Sequence, residues 1–308
     1  MTNSKVRVYF LGVGGGIPAV TRAPPAVAVQ FQGKLILFDC GEGTQLQLRK
    51  AGLSPQRVRE IFITHLHGDH VLGLPGLIST MVMLNRSKPL TIYGPVGTAE
   101  FTQIALELTH VQLDFDLTTN DVEKGIISNQ EQYQVRCLPA IHSIPSLSYI
   151  FQMADSPGRF DVSKAQRLGV PSGPLRKSLC EGKAIQTSDG KIVNPEDVLG
   201  PTRKGVSIVY SGDTAPNPQL AKAATNANLL IHDATFTVTH KENAKDYLHS
   251  TAAQAAQIAK QAQATYLALV HISPRYIVTE EHENEAKAIF PQSFAPMDLD
   301  CLELTPSR

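Results

Sequence analysis

The 308-residue chain has no tryptophan, only four cysteines and no excess of either charge, and each shortage excludes something. Cys40, Cys137, Cys180 and Cys301 lie far apart without a C-x-x-C pair. That excludes a thiolate zinc ribbon and argues against a disulfide scaffold. No apolar run approaches the roughly 20 residues that span a bilayer, so no membrane partner is expected. Met1–Phe10 carries charges at Lys5 and Arg7 but neither an apolar core nor a small-residue cleavage site, so the expected location is the cytoplasm. There is no internal repeat and no low-complexity tract. Basic and acidic residues balance at 28 each, which by itself lowers the prospect of a nucleic-acid partner. The balance is uneven, however. Residues 1–60 carry 8 basic and 3 acidic groups and residues 155–205 carry 9 and 6, while residues 61–154 carry 4 and 8. The sharper reading is a local anion-binding surface on a neutral body.

What is present reads as an α/β protein. Short β-branched runs at Val6–Leu11, Ala26–Phe31, Leu35–Phe38, Ile61–Thr64, Leu90–Tyr93, Gln134–Leu138, Ser148–Phe151, Ser207–Tyr210, Leu229–His232 and Tyr266–His271 predict strands. Helical periodicity fills Thr44–Ala51, Leu74–Leu84, Gly97–Thr109, Pro218–Ala224, Ser250–Ala262 and Thr279–Ile289, with Ser250 or Thr251 capping the Ala-rich stretch. Strands and helices in both halves fit two sheets with helices outside them. Residues 155–201 break the pattern, with little periodicity and recurrent proline and glycine in SPGRF, GVPSGP and LGP. This basic block is expected to be a projecting arm without regular structure, not a domain boundary.

The decisive signal is Thr64-His65-Leu66-His67-Gly68-Asp69-His70, directly after a strand. Extended residues two apart point the same way, so His65 and His67 can hold one metal. Gly68 is expected to permit a sharp bend, leaving Asp69 and His70 to face a second. Imidazole and carboxylate without thiolate suit zinc, with manganese or iron as the alternatives. A dinuclear site needs further ligands, and three polar residues stand where apolar strands run out: His142 in PAIHSIP, Asp213 in YSGDT and His271 in LALVHIS. Gly12, Gly14 and their neighbours imitate a dinucleotide fingerprint, but Ile17 and Pro18 occupy its end and no helix follows. The glycine loop is expected to bend near the active site instead.

HLHGDH, with Asp39 ending a strand in LFDCGEGTQ, resembles the metallo-β-lactamase fold, an αββα sandwich. FLGVGGGIP, FDCGEGTQLQL, THLHGDH, PAIHSIPS, the GVPSGP arm, YSGDT, HDATF, HSTA and VHISPRY together resemble ribonuclease Z, the endonuclease that trims 3′ trailers from precursor tRNA, in its short form. The resemblance implies a single domain spanning residues 1–308 with an exosite arm protruding at about 155–201. It implies one zinc held by His65, His67 and His142, a second by Asp69, His70 and His271, and Asp213 between them. Such a pair clamps the attacked phosphate and lowers the pKa of a bound water. Asp69 is implied as general base, His249 as proton donor or stabiliser at the leaving oxygen with Asp233 behind it, and Asp39 as the partner of a ligand imidazole. The implied products are a tRNA 3′-hydroxyl and a trailer 5′-phosphate. His232 reads as structural, and His110, His240 and His282 as surface residues without a role. The arm is implied to grip tRNA through Arg159, Lys164, Arg167, Arg176, Lys177 and Lys183, with Gly169, Pro171, Gly173 and Pro174 shaping its tip. A homodimer, in which one subunit's arm serves the other's site, is implied too. The family's P-x-K-x-R-N loop reads Pro18-Ala19-Val20-Thr21-Arg22-Ala23 here and departs at Val20 and Ala23. The rival readings are a small-molecule phosphodiesterase or thioesterase on the same fold, which has no use for the arm, and a non-catalytic RNA-binding paralogue.

Overall fold

Paired β-branched runs build two seven-stranded sheets in the computed structural model, which describes residues 5–305. The first four residues, part of the segment read for a leader, and the last three lie outside them. One sheet runs in the order Cys301–Leu304, Val6–Gly12, Ala26–Phe31, Lys34–Phe38, Val58–Phe62, Leu90–Gly94 and Leu117–Asp121. The other runs Ser293–Phe294, Tyr266–Val270, Leu229–Asp233, Ser207–Tyr210, Leu147–Met153, Tyr133–Pro139 and Gly125–Gln130. Alternation along each strand sorts side chains to two faces. Leu35 and Leu37 pack with Leu48, Leu74, Leu77 and Ile78 of the helices Thr44–Lys50 and Gly73–Met83. Leu267 and Leu269 pack with Ala255, Ala256 and Ala259 of the helix Ala252–Ala262. Between the sheets lies an aromatic layer: Phe38 meets Tyr149 and Tyr210 with ring centroids 5.9 and 5.7 Å apart, and Phe31 meets Phe151 at 5.4 Å. The few aromatics are thus spent where two apolar faces must interlock, each pair adding about 0.5–1.5 kcal/mol beyond its buried area. Helix, sheet, sheet, helix is the αββα sandwich.

Thr251 caps the helix Ala252–Ala262, and Gln254 closes a capping box with it. The strand expected at Ile61–Thr64 is instead Val58–Phe62, where charged Arg59 and Glu60 obscure the pattern. Glu60 is nevertheless buried, accepting hydrogen bonds from Ser128 Oγ at 2.7 Å and from the Tyr133 hydroxyl. Leu117–Asp121, Gly125–Gln130, Ser293–Phe294 and Cys301–Leu304 add strands that the sequence does not announce.

Residues 153–206 form a compact unit separate from the one made by residues up to 152 and 207–305. The expectation of little regular structure in 155–201 is corrected here. Helices Val162–Arg167, Pro174–Cys180 and Pro195–Val198 and a short hairpin of Ile185–Gln186 with Ile192–Val193 surround a core of Ala165, Val170, Leu179, Ile185, Val193 and Val198. Helices of four to seven residues are too short to show periodicity. Ser156 and Arg203 exchange backbone hydrogen bonds of 3.0 and 2.9 Å, bringing the two ends of the segment side by side.

His282, expected at the surface, is fully buried in the helix Glu280–Lys287, with its ring edge-on to Tyr276 at 4.5 Å. Burial pushes its pKa down to about 4. Above pH 6.5 the imidazole is neutral whether the chain is folded or not, and its environment costs nothing. Between pH 6.5 and 4 only the unfolded chain takes up this proton, so stability falls, by up to roughly 3 kcal/mol, and then levels. Urea unfolding at pH 7.5 and 5.0 should therefore show wild type losing more stability across that window than His282→Gln; equal losses would reject the assignment.

Candidate metal and catalytic site

The ligand side chains lie where strands end. After Phe62 the chain runs on extended to His67 (φ −64°, ψ 145°), and Gly68 opens the four-residue helix Gly68–Val71 that carries Asp69 and His70. The bend is thus made at His67, while Gly68 is its helical neighbour. Asp39 follows Phe38, Asp213 lies just beyond Tyr210, and His271 comes directly after Val270. Asp39 and His271 have φ of +58° and +62°, a conformation that costs a non-glycine residue about 1–2 kcal/mol and turns each side chain off its strand.

The structure brings His65, His67, His142 and Asp213 into one group and Asp69, His70 and His271 into another, ligand atoms within 4.8 Å of one another in each. His65 Nε2 is 3.0 Å from His67 Nδ1, and His142 Nε2 is 3.3 Å from the same atom. Asp213 also reaches toward the second group, with Oδ2 3.6 Å from His65 Nε2 and 3.2 Å from His271 Nε2, and Oδ1 3.3 Å from His70 Nε2. A tetrahedral cation with bonds near 2.0–2.1 Å spaces its ligand atoms about 3.3 Å apart, which is the spacing found. His70 Nε2, fully buried, makes no hydrogen bond, as a nitrogen aimed at a cation would. The residues fit two divalent cations.

The outer nitrogens of four imidazoles are occupied, and that fixes their tautomers. Asp39, fully buried, accepts from Thr64 N–H at 2.7 Å, from the Thr64 and Tyr210 hydroxyls at 2.9 Å each, and from His70 Nδ1 at 2.8 Å. Thr64 Oγ1, having donated to Asp39, accepts from His65 Nδ1 at 3.0 Å. His142 Nδ1 donates to the Leu248 carbonyl at 3.2 Å, and His271 Nδ1 to Thr235 Oγ1 at 2.8 Å. Each of these rings keeps an Nε2 lone pair for the centre. Before a cation is bound, burial would raise the Asp69 carboxyl, but a hydrogen bond from His271 and positive charge on His70 hold it well below the usual range. Burial pushes His65 down, while Asp213 and Asp39 outweigh burial and lift His70.

His249 stacks on His271 with centroids 5.1 Å apart and donates from Nδ1 to Asp233 Oδ2 at 2.8 Å. Burial disfavours its cation, yet Asp233 prevails and raises the pKa to about 9. Asp233 is fully buried and also accepts from the Thr214 amide and the Thr235 amide and hydroxyl. Thr235 therefore ties Asp233 to His271, a role that only the HDATF stretch could have signalled. Buried His232 donates from Nδ1 to the Asp233 carbonyl at 2.8 Å. His240 is bonded to the Tyr276 hydroxyl, and His110 is exposed.

The glycine loop reaches this centre. Gly16, at φ +77°, donates its amide to Asp69 Oδ2 at 2.7 Å, and a Cβ on Gly15 would stand 2.5 Å from the His271 ring. Asp298 holds the loop's base, accepting from Val13 N–H at 3.1 Å and Ala23 N–H at 2.7 Å. Arg22 is spent here as well: its guanidinium donates to the carbonyls of Tyr276 and Ile277, whereas Val20 is fully exposed.

In the 153–206 unit, Arg159, Lys164, Arg167, Lys177 and Lys183 are exposed. Arg176 is turned inward, donating to the Val170 carbonyl and lying over the Phe160 ring, so it braces the unit's own fold. Gly169 (φ +71°), exposed Pro171, Gly173 (φ +119°) and Pro174 form the connection between the helices Val162–Arg167 and Pro174–Cys180.

Asp39→Asn replaces one acceptor oxygen by a donor facing either Thr64 or His70 and should weaken metal retention about 10–100-fold. Metal content after titration with a chelator measures this, and unchanged retention would mean that Asp39 does not set the His70 ring.

Residues 6–151 match the family described as anti-Pycsar protein Apyc1, and residues 181–272 the beta-lactamase superfamily domain. Ribonuclease Z of Methanosarcina acetivorans is 43% identical over 97% of this chain and 98% of its own length. Ribonuclease Z of Bacillus licheniformis is 40% identical over 95% and 97%. The crystal structure of the short form of human tRNase Z superposes with a TM-score of 0.71 at 28% identity, covering 96% of this chain and 98% of that one. With this identity along nearly its whole length, the chain belongs to the ribonuclease Z family.

Proposed function

We propose that this chain is a metal-dependent endoribonuclease that removes 3′ trailers from precursor tRNA, leaving a 3′-hydroxyl on the tRNA and a 5′-phosphate on the trailer. The single observation that carries this reading is the convergence of five imidazoles and two carboxylates beside His249 and Asp233, in a chain of the ribonuclease Z family. His65, His67 and His142 would hold one cation, Asp69, His70 and His271 the other, with Asp213 shared. The donor set of nitrogen and oxygen without sulfur favours Zn²⁺, with Mn²⁺ or Fe²⁺ as substitutes. Bound there, the pair supplies an acidic water and draws charge from the phosphate. Asp69, whose carboxylate the Gly16 amide fixes, accepts the proton of the attacking water. His249 keeps Nδ1 on Asp233, so its other nitrogen is the one that faces the reaction and gives a proton to the departing 3′ oxygen.

The exposed cations of the 153–206 unit support a phosphate grip on the folded body of tRNA, recognised by shape. Among the described residues no helix is long and apolar enough to cross a membrane. All four cysteines are free, which supports a cytoplasmic setting. Leu46, Met83, Ile104 and Leu108, exposed on helices that pack against one another, support a homodimer.

A 3′-extended tRNA transcript tests the reading. The new end should map to the junction of tRNA and trailer with a free 3′-hydroxyl, and chelator should abolish the cut; cleavage that survives chelation, or lies elsewhere, would refute it. Replacing residues 157–202 by a short glycine turn, which the Ser156–Arg203 pairing allows, should lower precursor cleavage by about 100-fold or more. Hydrolysis of a small phosphodiester should persist. Loss of both together would speak against a tRNA grip in that unit, and cleavage left unchanged by the deletion would favour the small-molecule hydrolase.

A further inference from the structure

The cleft at the cluster is not lined as a phosphate alone requires. It has a volume of about 430 Å³, and Ile17, Phe236, Tyr247 and Pro274 line it together with His249 and His271. Phosphate calls for donors and cations, which the cluster already provides. Apolar surface beside it calls for a second chemistry. Tyr247 leaves 60% of its surface in solvent, and its hydroxyl makes no hydrogen bond among the described residues. An aromatic ring in that position is either an unrepaid exposure of apolar area or a face kept open for a partner.

Its placement favours the second. Tyr247 ends the helix Lys241–Asp246 and precedes Leu248, which sits at φ +55° and gives its carbonyl to His142. Next comes His249, anchored to Asp233. Two anchors within two residues leave the tyrosine little freedom to swing away. Phe236, 5% exposed, lines the same cleft with its ring centroid 6.1 Å from that of His249, and Arg275 lies 5.1 Å over its ring.

The chemistry assigns a side. In the proposed hydrolysis an O–P bond forms from water, the bond from phosphorus to the 3′ oxygen breaks, and the His249 proton ends on that oxygen. The 3′ oxygen belongs to the last nucleotide kept by the tRNA, so that nucleotide lies on the His249 side, where Tyr247 stands. We infer that the Tyr247 ring is a stacking platform for the base of the last retained nucleotide. This rests on the endonuclease reading and adds a nucleobase subsite to it. Stacking tolerates any base because every base has a flat face, so the platform orders the scissile linkage without dictating sequence.

The test is a cycle of protein and substrate changes. Wild type, Tyr247→Ala and Tyr247→Phe are compared on a 3′-extended tRNA transcript and on the same transcript made abasic at the last retained nucleotide. Wild type should lose roughly tenfold in kcat/KM on the abasic substrate. Tyr247→Ala should lose about as much on the intact substrate and little more on the abasic one, while Tyr247→Phe keeps most of the rate. Placing the abasic residue at the first trailer nucleotide should leave the full penalty of Tyr247→Ala in place. Losses that multiply on the first abasic substrate, or a penalty that vanishes only with the trailer abasic, would overturn the inference. Failure of wild type to cut the intact transcript would overturn the endonuclease reading and this inference with it.

Discussion

One buried carboxylate governs the centre. Asp213, 3% exposed, has its oxygens 3.2 to 3.9 Å from nitrogens of His271, His70, His65 and His142. So many lone pairs pointing inward repel one another unless positive charge is shared among them, and water has little room to help. Protons on some imidazoles supply part of it, as the raised His70 and the depressed Asp213 indicate. Divalent cations supply it better, because the outer nitrogens of four rings are already committed to Asp39, Thr64, Leu248 and Thr235. Metal binding and native packing are therefore the same interaction seen from two sides, and each favours the other.

The sandwich exists to bring those groups together. Asp39, Asp213 and His271 come from the ends of three strands in two different sheets, and the aromatic layer between the sheets fixes how near those ends lie. Left-handed residues at Asp39, Leu248 and His271 are local concessions that a glycine would make without strain. Glycine, however, has no carboxylate or imidazole to offer at two of them. The apolar core, which tolerates no such compromise, supplies the stability that keeps them in place.

The sequence displayed the ligands more clearly than their supports. His65, His67, Asp69 and His70 crowd a six-residue stretch, and apolar runs lead the eye to His142, Asp213 and His271. The groups that orient them include the Gly16 amide and the Leu248 carbonyl, and backbone atoms have no residue signature. Edge strands were equally silent: Leu117–Asp121 and Gly125–Gln130 are largely unburied, and each holds only two β-branched residues among polar ones, too few to show alternation. The 153–206 unit hid for another reason. Its core is six small or medium side chains under helices of at most seven residues, too little apolar surface to form a pattern. Arg176 and Arg22 show the converse hazard, since cations that look free for RNA are engaged by carbonyls of their own chain.

Asp298 grips Val13 and Ala23 across some 280 residues of chain, and through them the loop that touches Asp69. Synthesis proceeds from the amino end, so a growing polypeptide carries HLHGDH long before it carries His271 or the anchor at Asp298. Until His271 emerges the centre lacks part of its coordination, and until Cys301–Leu304 emerges the first sheet lacks its edge. A half-made nuclease that has not yet reached His271 and Asp298 is thus unarmed among the tRNAs that surround it on the ribosome.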